Sequence, residues 1–290
     1  QAERLPKERA DKILFIDARN VFTQIDRAHR EFSEAQIQNL ATINRLYCGK
    51  REAMTNLIDD YFADGIKQLA KNAEAAPTVI AQVKALISDK DCEQAAQALS
   101  QQWQGWAALK NEYDGYLKKN SQNDIDKVNA SQKTLAEPFK DFFAELHQQQ
   151  KALDKAIRNW EREEAIANGK KHRPDKDLKA LKQAMDELHK EMRDAEQYFL
   201  YIEWLQSRFP EARYEDVLGL CKFATKVEIE EQDWSLNPGR YVGVVIEEDG
   251  FTADEFLETL SNLEHSFSKL SSEAANIENS ISNNLKGILS

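Results

Sequence analysis

A chain of 290 residues with ten Gly, six Pro, 31% charged and 41% hydrophobic side chains suits one or two helix-rich domains. Its net charge of -11 argues against a domain that grips DNA by itself, because such a grip rests on phosphate neutralisation. No apolar run is long enough to span a bilayer, nothing at the N-terminus resembles a signal peptide, and the scattered Cys48, Cys92 and Cys221 suit free thiols of a cytoplasmic protein better than disulfides or a zinc knuckle.

In chain order, residues 1–11 are polar. Lys12 to Ala18 carries the short apolar run ILFI and is predicted to be a strand. Ser33 with Gln36 makes a capping box that opens a helix with Ile37, Leu40, Ile43 and Leu46 on one face and Gly49 at its C-terminal end. A second helix is expected over about 50–75, stopped by Pro77, then a short third over 78–87. A fourth, 91–119, places Leu99, Trp103, Trp106, Tyr113 and Leu117 at helical spacing.

The strongest periodic signal follows. Leu135, Phe139, Phe142, Leu146, Leu153, Ile157 and Trp160 are spaced 4-3-4-7-4-3, a heptad seam with one polar layer at Gln149. Pro138 kinks that helix or marks its start. After the basic turn GKKHRP (169–174), a second seam runs through Leu178, Leu181, Met185, Leu188, Met192, Ala195, Phe199 and Ile202. Two heptad helices joined by a short turn fold back as an antiparallel coiled-coil hairpin, here over 123–168 and 175–207.

Residues 209–219 read as a connector. Thr225 and Glu228 form a second capping box before a short helix that ends near Gln232. The turn Asn237-Pro238-Gly239 feeds RYVGVVI, a predicted strand over 240–246 that would pair with 12–18. Thr252 and Glu255 open the last helix, whose Phe256, Leu260, Leu263, Phe267, Leu270, Ala274, Ile277 and Ile281 form a third heptad face. A long apolar stripe of this kind marks an interface or packs on the helices of 34–75. The expected fold is mainly α with a small β element. Its expected segments are 1–77, 78–208 (the helical hairpin region), 209–250 (connector and turn-strand) and 251–290 (heptad helix).

Chemistry-bearing patterns are few. There is no GxGxxG and no P-loop, and His29, His147, His172, His189 and His265 show no metal-ligand spacing; the last four fall on polar, solvated positions. No catalytic, cofactor or metal residue is assigned. Lys170, Lys171 and Arg173 at the hairpin tip are candidates for contact with DNA phosphates, against the plainer reading of a solvated turn. Arg19, Arg27 and Arg30 are expected to pair with Asp17, Asp26 and Glu31. The aromatic residues on apolar helix faces are expected to be core.

Four strings occur in a telling order: KILFIDAR (12–19), QIDRAHREF (24–32), YEDVLGLCKFAT (214–225) and WSLNPGRYVG (234–243). In that order they resemble the C-terminal part of the modification (M) subunit of type I restriction–modification enzymes. The middle of the chain, about 78–200, looks like a helical insertion. The resemblance implies a parent protein that methylates adenine N6 in DNA with S-adenosylmethionine. It also implies partners: two M subunits with one specificity (S) subunit, which reads the DNA, extended by restriction (R) subunits. Helices near the C-terminus of M are implied to pack against the S subunit. That role falls here on Phe256, Leu260, Leu263, Phe267, Leu270, Ile277 and Ile281. The family's cofactor loop and its Asn-Pro-Pro-aromatic motif are missing, since Asn237-Pro238 is followed by Gly239 and Arg240. This chain is therefore expected to hold no cofactor itself. The competing reading is a free-standing coiled-coil scaffold without enzymatic activity.

Overall fold

The computed structural model describes residues 11–119, 124–167 and 176–244, with Leu260, Leu263, Glu264, Phe267, Ser268, Leu270, Ser271, Ser272, Ala274 and Ile277. The fold is mainly α, with long helices and small antiparallel sheets. It divides into two compact units, 1–243 and 244–290.

Helix α1 (Glu34–Tyr47) begins with the expected capping box, Ser33 and Gln36 each bonding the other's backbone, and Gly49 beyond its end takes φ 83°. Helix α2 (Glu52–Leu86) does not stop at Pro77 but runs through it. An internal proline costs ~3 kcal/mol. The buried residues continue across it, from Ala76 before the proline to Ile80, Val83 and Ile87 after it. Each large aliphatic side chain there adds about 1.5–3 kcal/mol on burial, enough together to hold the helix across the break.

The expected single helix over 91–119 is two, α3 (Lys90–Gln104) and α4 (Trp106–Lys119), separated at Gly105. The break turns Trp103 and Trp106 inward together, while Leu117 is left 52% exposed. Helices α5 (Ile125–Ala167) and α6 (Lys176–Arg208) form the predicted antiparallel pair. Phe139 stacks on Phe199 at 4.3 Å, Lys140 meets Glu203 at 3.2 Å, and Lys182 meets Glu161 at 2.6 Å, so one helix ascends as the other descends. Pro138 sits inside α5, and the buried polar residue of the seam is Gln150 rather than Gln149. The turn at 168–175, with Lys170, Lys171, His172 and Arg173, lies outside the described residues.

The hairpin does not stand alone. Helix α2 runs parallel to α5, with Gln132 bonding the Thr55 carbonyl at 2.8 Å and Phe62 against Phe139 at 6.4 Å. It runs antiparallel to α6, with Arg51 reaching the Glu211 carbonyl at 2.8 Å and Tyr61 meeting Tyr201 at 5.5 Å. The α3–α4 leg closes the remaining side through Trp103 on Phe142 and Tyr116 on Asp59. The result is an up-down-up-down four-helix bundle. Its centre is an aromatic cluster of Phe62, Phe139, Phe143 and Phe199.

At the end where α2 starts and α6 stops, strand β1 (Lys12–Ile16) pairs antiparallel with a later strand. That partner is not 240–246. The hairpin strands β2 (Thr23–Gln24) and β3 (Arg30–Glu31) pair with each other, and the partner of β1 is β4 (Cys221–Thr225), with Lys12 opposite Thr225 and Ile16 opposite Cys221. Over its described part, 240–244, the expected strand is instead a 3-10 turn (Pro238–Arg240) and irregular chain. The reason is local. The Asn237 side chain accepts the Gly239 N–H at 3.1 Å, and the N–H groups of Tyr241 and Val242 both bond the Pro238 carbonyl, so the chain curls where a strand would extend. Helix α7 (Lys226–Glu231) carries the second predicted capping box, Thr225 with Glu228. In the 244–290 unit, the described residues from Leu260 to Ile277 are helical and exposed; Leu260, Leu263, Phe267, Leu270 and Ile277 are each more than half exposed. Phe256 and Ile281 lie outside the described residues, as does the Thr252–Glu255 capping box.

Candidate functional site

Three strings that lie up to about 200 residues apart in sequence meet at the base of the bundle. In the first, the Arg19 guanidinium grips Asp17 with three bonds, of 2.9, 3.0 and 2.6 Å, and the Arg19 backbone N–H adds a fourth at 3.1 Å. That grip holds the largely buried Asp17 carboxyl below its ordinary value, against the opposing push of burial. The same guanidinium lies against the last string. A Cβ on Gly239 would sit 2.9 Å from Arg19 Nη2, the end of a flexible side chain, so the turn and the guanidinium are in close approach. Phe15 stacks on Tyr241 at 4.0 Å and joins Ala224, Ile229 and Val242 in a small core of its own.

The third string is fixed from the other face. Tyr47 of α1 meets Tyr214 edge-on at 5.3 Å, lies 6.4 Å from Phe223 and donates its hydroxyl to the Lys12 carbonyl at 3.1 Å. Tyr214 donates to Asp216 at 2.9 Å. Cys221 is buried beneath, and burial pushes its thiol up to about 11, so it is no nucleophile at neutral pH. Burial does the same to Cys92, up to about 12.

The two outer edges of the β1–β4 sheet are treated differently. Asp17 N–H bonds Leu220 O at 2.7 Å, which sets the alternation: Ile13 and Phe15 also face β4, while Lys12, Leu14 and Ile16 turn their backbone outward. On β4 the outward amides are all taken. Cys221 N–H bonds Val217 O at 2.9 Å, Phe223 N–H bonds Asp216 Oδ1 at 3.3 Å, and Thr225 N–H bonds Glu228 Oε2 at 2.7 Å. On β1 the Lys12 carbonyl is taken by Tyr47, but the outward groups of Leu14 and Ile16 have no partner among the described residues. Among the described residues, one edge is closed and the other has room for a further strand.

The basic residues near the strand behave only partly as expected. Arg19 pairs with Asp17, and His29 meets Asp26 at 2.6 Å. Arg30 instead bonds Gln24 at 3.1 Å and stacks over Phe22 at 4.2 Å. Two histidines expected to be solvated are not. His147 Nε2 lies 2.7 Å from Glu196 and its Nδ1 lies 3.3 Å from His189 Nε2, all three partly buried on the α5–α6 seam. Sequence spacing hides this grouping because the two histidines share no local period, only a level in the antiparallel pair. Burial and the neighbouring Arg193 hold His189 below its ordinary value. Among the described residues no group of three or more His, Cys, Asp or Glu could hold a metal ion.

Comparison with known proteins gives one stretch of similarity. Over 75 residues, 26% of this chain, it is 39% identical to the type I restriction enzyme HindI methylase subunit of Haemophilus influenzae. That stretch is 16% of the methylase subunit, so the two correspond over a small part of the longer protein. No family model matches the chain, and no solved structure matches it.

Proposed function

We propose that this chain is the helical C-terminal region of a type I restriction–modification DNA adenine-N6 methyltransferase subunit. In this role it assembles that subunit with the specificity subunit and thereby supports DNA modification. One observation carries the reading: the strings that resemble the family, far apart in sequence, close on one another through Asp17–Arg19–Gly239, Phe15–Tyr241 and the β1–β4 ladder. A chance likeness of separate strings would not require them to build one module. The 75-residue similarity to a methylase subunit supports the same reading.

Within it, the module at 11–49 and 209–243 adjoins the catalytic core of the parent protein, and the open edge at Leu14 and Ile16 suits an added strand from that core. S-adenosylmethionine belongs to the core and not to this chain. The 252–290 helix is the surface for the S subunit, with Phe256, Leu260, Leu263, Phe267, Leu270, Ile277 and Ile281 as its apolar face. The exposure of Leu260, Leu263, Phe267, Leu270 and Ile277 supports this. A second M subunit and the R subunits complete the assembly, which meets DNA as a whole in the cytoplasm. Among the described residues no helix is long and apolar enough to cross a membrane.

The single continuous core that joins the bundle to the base segments supports the other reading, a free-standing scaffold. Co-expression with the S subunit of the same system separates the two. The chain should be co-purified with that subunit, and a chain lacking 252–290 should not be, while keeping its helical circular dichroism. A full-length chain that never co-purifies favours the scaffold. A truncated chain that still assembles moves the interface elsewhere, and one that unfolds makes the last helix part of the core.

A further inference from the structure

Four cations stand in line on the outer face of the distal half of α5. Lys151, Lys155, Arg158 and Arg162 are spaced 4-3-4, which keeps them on one side of a helix, and all four are exposed. With Asp154 and Asn159 they line a shallow open groove of about 600 Å³. Arg158 is tied to Asp154 at 2.7 Å, so one charge of the four is largely offset. Asp186 of α6 borders the same region beside Arg158. The chain as a whole is acidic, with a net charge of -11.

We infer that this stripe is a contact for the phosphate backbone of duplex DNA. The choice between nucleic acid and an acidic protein follows from the lining. A stable protein interface is centred on large apolar or aromatic side chains inside a polar rim, and here only the aliphatic stems of lysine and arginine supply apolar surface, with no such anchor among the lining residues. Phosphate contacts need only cations and amide donors, which is what Lys, Arg and Asn159 supply. The dimensions agree. Eleven residues of helix rise ~16 Å, which spans about five phosphates of one strand at their ~3.4 Å spacing along the axis. The acidic remainder of the molecule repels DNA, so contact is confined to this stripe. The stripe carries no base-reading geometry and is indifferent to sequence. The inference rests on the proposed membership of a DNA-modifying assembly for its choice of duplex DNA among polyanions.

The test uses the full chain and a fluorescently labelled duplex, with binding followed by anisotropy between about 50 and 200 mM salt. The comparison is a variant carrying Lys151→Gln, Lys155→Gln, Arg158→Gln and Arg162→Gln, with helical circular dichroism as the folding check. Lys67→Gln with Lys71→Gln, exposed on α2, is the control. The slope of log affinity against log salt should fall by about 3, close to 0.9 for each lost contact with Asp154 already offsetting one. Affinity at the lowest salt should fall at least about tenfold. The control should match the parent. An unchanged slope in the fourfold variant overturns the inference, as does absence of any duplex binding by the parent chain at low salt. Displacement of the duplex by polyglutamate at equal charge would reassign the stripe to an acidic protein. Co-purification with the S subunit is measured on the same variant. If it persists while the slope is unchanged, only the stripe fails. If co-purification is lost in parent and variant alike, the assembly reading fails by itself.

Discussion

Gly65 and Gly115 are both helical glycines, and the structure predicts opposite consequences for replacing them with alanine. In a helix interior Gly→Ala alone is worth about 1 kcal/mol of stabilisation. At Gly115 a Cβ would meet nothing within 4 Å, so that gain should appear undiminished. At Gly65 the same Cβ would sit 2.7 Å from Phe199 Cε2 and 3.1 Å from Tyr198 Cβ. The phenyl ring cannot retreat, because it is stacked on Phe139 at 4.3 Å and flanked by Phe143 at 5.3 Å and Phe62 at 6.0 Å. Forcing α2 and α6 apart overpacks the core at a cost of about 1–3 kcal/mol, which exceeds the propensity gain in most of that range. Gly65→Ala should therefore lower stability by about 1 kcal/mol net. Urea midpoints, or melting temperatures shifting by about 2 °C per kcal/mol in a chain of this size, measure both variants side by side. If Gly65→Ala stabilises as much as Gly115→Ala, the close approach of α2 to α6 does not exist and the bundle geometry is wrong.

Two further outcomes follow from the seam between α5 and α6. Leu188 is 5% exposed on it, so Leu188→Asp buries a charge and should lower the urea midpoint by an amount worth about 4 kcal/mol; a loss under about 1 kcal/mol would place Leu188 at the surface. His189 is held below its ordinary value of 6.5 by burial first and then by Arg193 and His147, with Asp154 and Asp186 opposing. The unfolded chain therefore takes up its proton first as pH falls, and the stability present above pH 6.5 is lost progressively below it. His189→Asn should flatten that part of the urea-midpoint profile, and an unchanged slope would show that the imidazole is as solvated in the native state as in the unfolded one.

The sequence announces what is periodic and hides what is pairwise. The heptad spacing of Leu178 to Ile202 gives α6 almost to the residue, and Ser33–Gln36 and Thr225–Glu228 give two helix starts, because caps and seams are local. Pro77 and Gly105 mislead in opposite directions for one reason. Tertiary burial of Ile80 and Val83 carries a helix through a proline, while inward packing of Trp103 and Trp106 breaks a helix that composition would continue. RYVGVVI has strand-like composition, yet Asn237 captures the turn before it, and Cys221–Thr225, which reads as a connector, is the strand. Of the base module, the strings are visible in sequence; the Arg19–Gly239 contact that joins two of them is not, because no local rule brings residues that distant together.

The bundle leaves the base module within a few ångströms of where it enters: Arg51, at the start of α2, bonds the carbonyls of Glu211 and Ala212, just past the end of α6. For the strand pair, some 160 residues of chain thus count as a single short step. Once the bundle has formed, the loop that β1 and β4 must close shrinks from about 200 residues to about 45, which relieves the closure entropy by roughly 1 kcal/mol. The small sheet should accordingly form late, after the helices. The same doorway makes the outer part of the bundle replaceable. The first turns of α2 and the last of α6 are part of the mounting, since Tyr61 bonds Ala35 and Asn39 of α1 and one core runs from Ile43 to Cys221; only the reach of the arm beyond them could change without disturbing the ladder and the Phe15–Tyr241 stack.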